Sequence, residues 1–290
     1  MINPELLHFG TINIRWYGIC AAVGLLSAYW LQMYRRQKYN FTEGQVSDLT
    51  FFCMMGAIVG ARLAYVIRFW DEEFAGQGIA EIFKVYNGGL VFYGGFLGAV
   101  LIGAVLCRYR HWSWGQASDL MTPALPLAHA CGRIGCLLNG CCFGFPYQGP
   151  LAVDYGVHGM SVLHIQKMLE QVPPDASLPL PTFPIEGIAA IVNVLICLIL
   201  LWSEKRGFAK NRLFFLYGII YSIARFCTEF GRGDYVNLNH GLTPAQVTCL
   251  WILPVSILAF VWLTWKQPKT TPVEKPAEKT AEKSLEPSQK

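Results

Sequence analysis

Long apolar segments constrain the fold of this chain more than any other feature. A membrane-spanning helix needs about 20 mostly apolar residues, and seven runs approach or exceed that length: 16–34, 47–69, 89–107, 116–138, 184–202, 212–230 and 245–265. Charged residues make up 14% of the chain, whereas soluble domains carry about 25%. The sequence therefore predicts an all-α polytopic integral membrane protein with about seven transmembrane helices.

Most of the 23 lysines and arginines lie where alternating spans would place them on one side of the membrane. They follow the first, third, fifth and seventh runs: Arg35, Arg36, Lys38, Arg108, Arg110, Lys205, Arg206, Lys210, Arg212, Lys266, Lys269, Lys275, Lys279, Lys283 and Lys290. Because basic loops stay in the cytoplasm, the pattern predicts a multi-pass protein with its N-terminus outside and its C-terminus in the cytoplasm.

Two segments fall outside the apolar runs. The outer loop, about 139–183, is rich in proline and long enough to form a periplasmic cap. The tail 268–290 consists mainly of Lys, Glu, Pro, Thr and Ser, which cannot build a core, so we predict a disordered cytoplasmic tail. Residues 1–267 would then form one membrane domain. No basic stripe alternates with aromatic residues, so nucleic-acid binding is not expected.

Charged side chains inside apolar runs indicate function by default, because an arginine at the centre of a membrane helix costs about 2.5–3.5 kcal/mol. In the sixth run, Tyr221, Arg225 and Glu229 are spaced by four and share one helix face. Two interpretations stand. One is a structural Arg–Glu pair that closes a helix bundle, and the other is an anion site in which Glu229 orients Arg225. Arginine suits an anion site because its planar guanidinium binds phosphate bidentately.

The stretch 129–144, HACGRIGCLLNGCCFG, places Arg133 among small residues. Its glycines allow close helix packing, but packing does not explain the arginine. The thiols of Cys131, Cys136, Cys141 and Cys142 are not matched by a second ligand pair, which zinc sites favour. We therefore favour packing over a metal or redox role for these cysteines.

Other features of the apolar runs have two interpretations each. Glu186 opens the fifth run and Asp119 lies early in the fourth. Each carboxylate either caps its own helix or serves a function, since acids stabilise the positive end of a helix dipole. The glycines of NGGLVFYGGFLGA, 87–99, form either a packing interface or a turn that approaches a ligand.

Taken together, these motifs resemble the prolipoprotein diacylglyceryl transferase family of the bacterial inner membrane. The resemblance runs in order along nearly the whole membrane part, through RWYG (15–18), GARLAYV (60–66), GGLVFYGGFLGA (88–99), SDLMTPALPLAHACGRIGCLLNG (118–140), PTFPIEG (181–187) and YSIARFCTEFGR (221–232). It implies transfer of the diacylglyceryl group of phosphatidylglycerol to the lipobox cysteine of a preprolipoprotein signal peptide at the outer side of the bilayer. A thioether forms and glycerol phosphate leaves, with no metal or organic cofactor.

The resemblance also implies roles for individual residues. The implied catalytic residues are Arg133, Arg225, Tyr93 and Glu229, with the two arginines on the phosphate and Glu229 orienting Arg225. The implied phosphatidylglycerol-binding residues are Arg133, Tyr17, Asn139, Gly144, Tyr221, Arg62 and Glu186.

The chain departs from the family pattern at several positions. Tyr93 stands where the family motif has a histidine, which is the usual candidate for accepting the thiol proton. A tyrosine, with an ordinary pKa of about 10 against about 6.5 for histidine, is a poorer base unless a nearby arginine lowers its pKa. Cys136 replaces an asparagine, the Cys141–Cys142 pair replaces a Glu-x stretch, and Phe183 replaces a glutamine.

Three other classes of protein stay open on the sequence. The chain could transfer a glyceryl group to a different acceptor thiol. It could be a non-catalytic phospholipid-binding membrane protein. It could also be a small transporter, although a transporter would favour inverted repeats with broken spans in paired positions, which the sequence does not show.

Overall fold

In a computed structural model of the chain, the structure describes residues 5–9, 12–84, 88–235 and 241–266. Within these ranges the chain forms nine α-helices and one antiparallel hairpin. The hairpin strands are β1 (Glu5–Phe9) and β2 (Ile12–Arg15). The helices are α1 (Trp16–Arg35), α2 (Glu43–Arg68), α3 (Phe92–Tyr109), α4 (Trp114–Met121), α5 (Ala124–Asn139), α6 (Met160–Met168), α7 (Ile185–Lys205), α8 (Leu213–Glu229) and α9 (Pro244–Lys266).

Each predicted apolar run contains helix. Among the described residues, α2, α3, α7 and α9 are long and apolar enough to cross a membrane. The helix α8 has 17 residues, which reach about 26 Å at 1.5 Å per residue. Large apolar side chains such as Leu26, Val59, Leu101 and Trp251 point outward, as expected of surfaces that face lipid.

The predicted tail, 268–290, lies outside the described residues, and the hairpin was not predicted.

The fourth predicted span, 116–138, is not one helix, which corrects the sequence prediction. The chain breaks between α4 and α5 at Pro123, because proline has no N–H to donate to the carbonyl of Asp119. Arg35 fills the gap, donating to the carbonyls of Asp119 (2.9 Å) and Leu120 (2.6 Å). It also pairs with Glu204 of α7 at 3.0 Å. Arg35 is thus a buried brace and not only a basic residue flanking a span.

Asp119 stabilises a different helix from the one it belongs to, contrary to the capping of its own helix considered from the sequence. Its carboxylate accepts hydrogen bonds from the backbone N–H groups of Asn211 (2.5 Å) and Leu213 (2.8 Å). These groups lie at the N-terminus of α8, where N–H groups have no partner within the helix. The contact fixes the start of α8, the helix that carries Arg225.

The glycine-rich third run packs closely against α2. A Cβ atom on Gly60 would lie 2.3 Å from the carbonyl oxygen of Gly94, and one on Gly98 would lie 2.2 Å from that of Gly56. No side chain fits at such distances, so the glycines let the two backbones touch. This contact supports the packing interpretation and sets the position of Tyr93 on α3.

The segment between α5 and α7 forms an ordered lobe, residues 141–183. The lobe has a small core of Phe143, Tyr155 and Val162 and includes α6. Gly144 forms a β-bridge with Arg232 beyond the end of α8. A Cβ on Gly144 would lie 2.3 Å from the carbonyl oxygen of Phe183, so only glycine fits where the lobe meets the helices.

Candidate functional site

A cavity of about 680 Å³ opens between α3, α5, α8 and α9. Most of its wall is apolar and aromatic, including Phe92, Phe96, Phe215, Trp251, Ile252 and Val255. Its polar groups include His129, Arg133, Tyr93, Tyr221 and Arg225. Four residues predicted from the sequence, on three different helices, thus line one space. A cavity with apolar walls and a few converging polar groups is the usual form of a ligand site.

Arg133 and Arg225 also border a second, narrow space of about 10 Å³ between α5, α7 and α8. The two arginines therefore border both spaces. Cations in a membrane protein lie towards the interior or a cavity because lipid does not solvate them. The arrangement presents two positive charges to a ligand in the large cavity.

Glu229 is buried in the protein interior and forms an ion pair with Arg225. Its Oε2 lies 2.8 Å from Nη2 of Arg225, and its Oε1 accepts a hydrogen bond from the Thr243 hydroxyl at 3.0 Å. Arg232 lies 3.8 Å from the same carboxylate. The Glu229 side chain is fully buried, whereas that of Arg225 keeps 13% of its surface exposed. The sequence left two alternatives, a structural Arg–Glu pair and an arginine that serves an anion site. The structure has the buried pair, and Arg225 of that pair also lines the cavity.

Tyr235 lines the cavity at this end, and Arg232 packs against its ring. Arg232 binds the carboxylate of Asp234 through two hydrogen bonds, of 2.9 and 2.5 Å. The guanidinium carbon of Arg232 lies 4.6 Å from the centre of the Tyr235 ring. Burial and then the Glu229 carboxylate raise the pKa of the Tyr235 hydroxyl, so Tyr235 is a neutral hydrogen-bond donor at the cavity wall.

His129 is a site residue that the sequence reasoning missed. Nε of Arg133 donates to Nε2 of His129 at 3.1 Å, and the imidazole ring lies 5.6 Å from the Tyr221 ring. Because Nε2 accepts, the imidazole is neutral with its proton on Nδ1. The signal was present in the sequence, since residues four apart share a helix face.

For the transfer that the family resemblance implies, we expect His129→Ala to lower kcat about tenfold, because Arg133 would lose the acceptor that orients it, at a cost of about 1.4 kcal/mol. His129→Gln keeps an acceptor and should restore part of the rate. The KM for phosphatidylglycerol, measured in the same assay, should change less than kcat. Equal kcat values for the alanine variant and the wild type would show that His129 does not position Arg133.

Arg62 lies away from the large cavity. Its guanidinium donates to the backbone carbonyls of Glu81, Ile82, Gly88 and Gly89 at 2.8–3.2 Å. It borders a separate space of about 280 Å³. The contacts make Arg62 a clamp on the segment between α2 and α3, and its contact with phosphatidylglycerol stays a prediction.

Tyr17 and Asn139 lie beside the thiols and not on the large cavity. Tyr17, on α1, packs against Gly135 of α5, where an added Cβ atom would lie 3.2 Å from the Tyr17 ring, and Gly135 directly precedes Cys136. Asn139 is the last residue of α5, two residues before Cys141. The structure thus places both residues next to Arg133 or to the segment that follows it, and direct lipid contact by either stays a prediction.

Glu186 links α7 to the lobe. It lies in the first turn of α7 and is 1% exposed, and its Oε1 accepts a hydrogen bond from the Tyr155 hydroxyl at 3.1 Å. Burial, with the nearby Glu186 charge, raises the pKa of Tyr155, which keeps the hydroxyl a donor. The Oε2 atom of Glu186 has no hydrogen-bond partner among the described residues. The position of Glu186 in the first turn fits a helix cap, and its hydrogen bond with Tyr155 also anchors the lobe to α7.

Sequence comparison decides the family. The family model described as prolipoprotein diacylglyceryl transferase matches residues 4–262. The chain belongs to this family. It is similar to the Geobacillus kaustophilus protein named phosphatidylglycerol–prolipoprotein diacylglyceryl transferase, with 32% identity over 261 residues, which cover 90% of this chain and 92% of that protein. A Clostridium novyi protein of the same name is 31% identical over 261 residues, covering 90% and 95%.

A third relative, the Clostridium tetani phosphatidylglycerol–prolipoprotein diacylglyceryl transferase, is 28% identical over 259 residues, covering 89% of this chain and 97% of that protein. The family resemblance drawn from the six motifs is therefore confirmed. In this prolipoprotein diacylglyceryl transferase family member, the matched region contains every residue that lines the large cavity.

Proposed function

We propose that this chain transfers the diacylglyceryl group of phosphatidylglycerol to the lipobox cysteine of preprolipoproteins, the first step of lipoprotein maturation. The observation that carries the proposal is that Arg133 of α5 and Arg225 of α8 meet on one cavity whose lining is otherwise mostly apolar and aromatic. A phospholipid has the same division, with an anionic phosphate at one end and acyl chains at the other. The names of the relatives give the two substrates.

The shape of the cavity favours an amphiphile. The arginines lie at its polar end, and α9 supplies an apolar wall with Trp251, Ile252 and Val255. Phe96 of α3 and Phe214 of α8 line the same cavity and stack with their ring centres 6.1 Å apart. An acyl chain against these side chains would leave water, which is worth about 25 cal/mol per Å² of apolar surface.

The two arginines match the charge that the reaction develops. The acceptor sulfur attacks the glyceryl carbon, the bond from that carbon to the phosphate oxygen breaks, and its electron pair stays with the leaving glycerol phosphate. A phosphodiester with one negative charge thereby becomes a monoester that carries nearly two at pH 7, since its second pKa is about 6. Preorganised cations stabilise charge that appears in the transition state.

The acceptor thiol must lose its proton before it attacks, because the thiolate is the nucleophile. Tyr93 lines the cavity with 44% of its surface exposed. In the proposal its hydroxyl hydrogen-bonds the reacting groups, and the charges of Arg133 and Arg225 favour the thiolate. The neutral imidazole of His129 lies between Arg133 and Tyr221. Its hydrogen bond with Arg133 keeps the Arg133 guanidinium in place.

The proposed membrane arrangement follows the basic residues. Seven crossings, with the α4–α5 pair as the fourth, place the N-terminus outside the bacterial inner membrane and the C-terminus in the cytoplasm. The lobe 141–183 then caps the periplasmic side. Arg133 lies two turns from the end of α5 that leads into the lobe, so the site faces the outer leaflet, where lipobox cysteines would arrive.

Release of the leaving group tests this function. Purified protein in vesicles of phosphatidylglycerol, mixed with a lipobox peptide, should release glycerol phosphate in equal amount to the peptide modified. A peptide with serine in place of the cysteine, or vesicles of phosphatidylcholine alone, should give none. Release with the serine peptide would indicate hydrolysis, and absence of release with the cysteine peptide would contradict the proposal.

A further inference from the structure

Three thiols meet where α5 ends. Gly140 caps the helix in the left-handed conformation, with φ of 67°, and turns the chain back on itself. The backbone N–H of Cys141 then donates to the carbonyl of Cys136 at 3.2 Å. Cys142 also has a positive φ, 65°, which is uncommon for a residue other than glycine. The sulfur atoms of Cys136, Cys141 and Cys142 all lie within 4.8 Å of one another.

We propose that Cys136, Cys141 and Cys142 bind one zinc ion as three thiolates and leave its fourth coordination position open. Zinc–sulfur bonds of about 2.3 Å in a tetrahedron hold the sulfurs about 3.8 Å apart, so small side-chain rotations close the cluster on a metal. No fourth histidine, cysteine or acidic ligand joins the cluster among the described residues. Three protein ligands with an open position are the pattern of catalytic zinc, whereas structural zinc has four.

The surroundings balance the charge of such a site. Zinc with three thiolates carries a net charge of −1, and the three thiol protons leave when the metal binds. The Gly233 N–H donates to the carbonyl of Phe143 at 3.0 Å, which brings neighbouring Arg232 close to the residue after Cys142, and Arg133 precedes Cys136 by one helical turn. All three cysteines are partly buried.

The open position has a use that rests on the proposed function. Cys136 follows Arg133 by one helical turn, so the metal would lie beside the phosphate-binding arginine. The acceptor thiol would bind the open position as a thiolate and release its proton to solvent. Its sulfur would then form the bond to the glyceryl carbon, while the carbon–oxygen bond breaks and the electron pair leaves with glycerol phosphate. The thioether product carries no charge and would leave the metal.

Metal binding is tested first, without any activity assay. Full-length protein purified in detergent under reducing conditions is loaded with Zn²⁺, or with Co²⁺ as a spectroscopic probe. We expect one metal per chain and sulfur-to-cobalt charge-transfer absorption. The variant C136S/C141S/C142S should lose both, and the matched control C131S/C227S, whose thiols lie outside the cluster, should keep both. Equal metal content in the two variants, or a disulfide among the three thiols with no metal uptake, would overturn the site.

The role of the open position is tested by adding the lipobox peptide to the cobalt protein. We expect the cysteine peptide to change the charge-transfer absorption and the serine peptide to leave it unchanged. An unchanged spectrum with the cysteine peptide would overturn acceptor binding at the metal. The cobalt spectrum separates this inference from the proposed function, because a spectral response without glycerol phosphate release would count against transfer while supporting the metal site.

Discussion

Replacing Arg133 with alanine is expected to lower kcat for diacylglyceryl transfer by about 10²–10³-fold, the usual effect of removing one group that stabilises transition-state charge. Arg133 is one of two cations on the cavity, and its Nε is already oriented by His129. Because the second phosphate charge appears only as the bond breaks, KM for phosphatidylglycerol should rise much less than kcat falls. Initial rates over a range of lipid concentrations measure both constants.

Lysine at position 133 should restore only part of the rate, since an ammonium group lacks the bidentate geometry of the guanidinium. Arg110→Ala provides the matched control, because Arg110 is exposed and pairs with Asp48 at 3.3 Å, away from the cavity. Its kcat should stay within twofold of the wild type. If Arg133→Ala raised KM alone and left kcat unchanged, Arg133 would bind the lipid without stabilising the transition state.

Glu229→Gln is expected to impair both folding and catalysis. The carboxylate is fully buried and faces Arg225 at 2.8 Å and Arg232 at 3.8 Å. Removing one partner of a buried ion pair typically costs about 3–5 kcal/mol, because the other charge stays buried without compensation. Arg225 would also lose the group that holds it at the cavity, so kcat should fall. Denaturant unfolding in detergent and the transfer assay report the two effects separately.

Glu43→Gln is the control for this effect, because Glu43 forms an exposed pair with Arg36 at 2.5 Å. Such pairs contribute about 0–1 kcal/mol, so the unfolding free energy should barely change. The double variant Glu229→Gln with Arg225→Gln should be less destabilised than the sum of the two single variants, since the stranded charge is gone. Additive losses would mean that the two side chains are not coupled.

The apolar runs allowed the helices to be located from the sequence, because helix formation in lipid depends on local apolar length. What the sequence did not reveal depends on contacts between distant segments. The break at Pro123 is bridged by Arg35 from α1, and Asp119 caps α8 across 94 residues. A basic residue after a span looks like a loop residue, and only packing shows that Arg35 is buried.

In the candidate site too, the sequence predicted the features that depend on local spacing and missed those that depend on the course of the chain. The spacing of Tyr221, Arg225 and Glu229 predicted one helix face. In the structure Tyr221 and Arg225 line the cavity, and buried Glu229 pairs with Arg225. His129 could have been found by the same spacing rule from Arg133. The three-thiol cluster could not, because it depends on the left-handed turn at Gly140, which returns Cys141 and Cys142 to Cys136. Spacing along the chain does not reveal such a reversal.

The most direct test of the central claim is the mass of a lipobox peptide after incubation with the purified protein and phosphatidylglycerol of defined acyl chains. We predict a mass gain equal to one diacylglyceryl group, located on the cysteine by fragmentation and absent with Arg133→Ala. An unmodified peptide, from folded protein that still binds the lipid, would contradict the account. A gain on any other residue would contradict it equally.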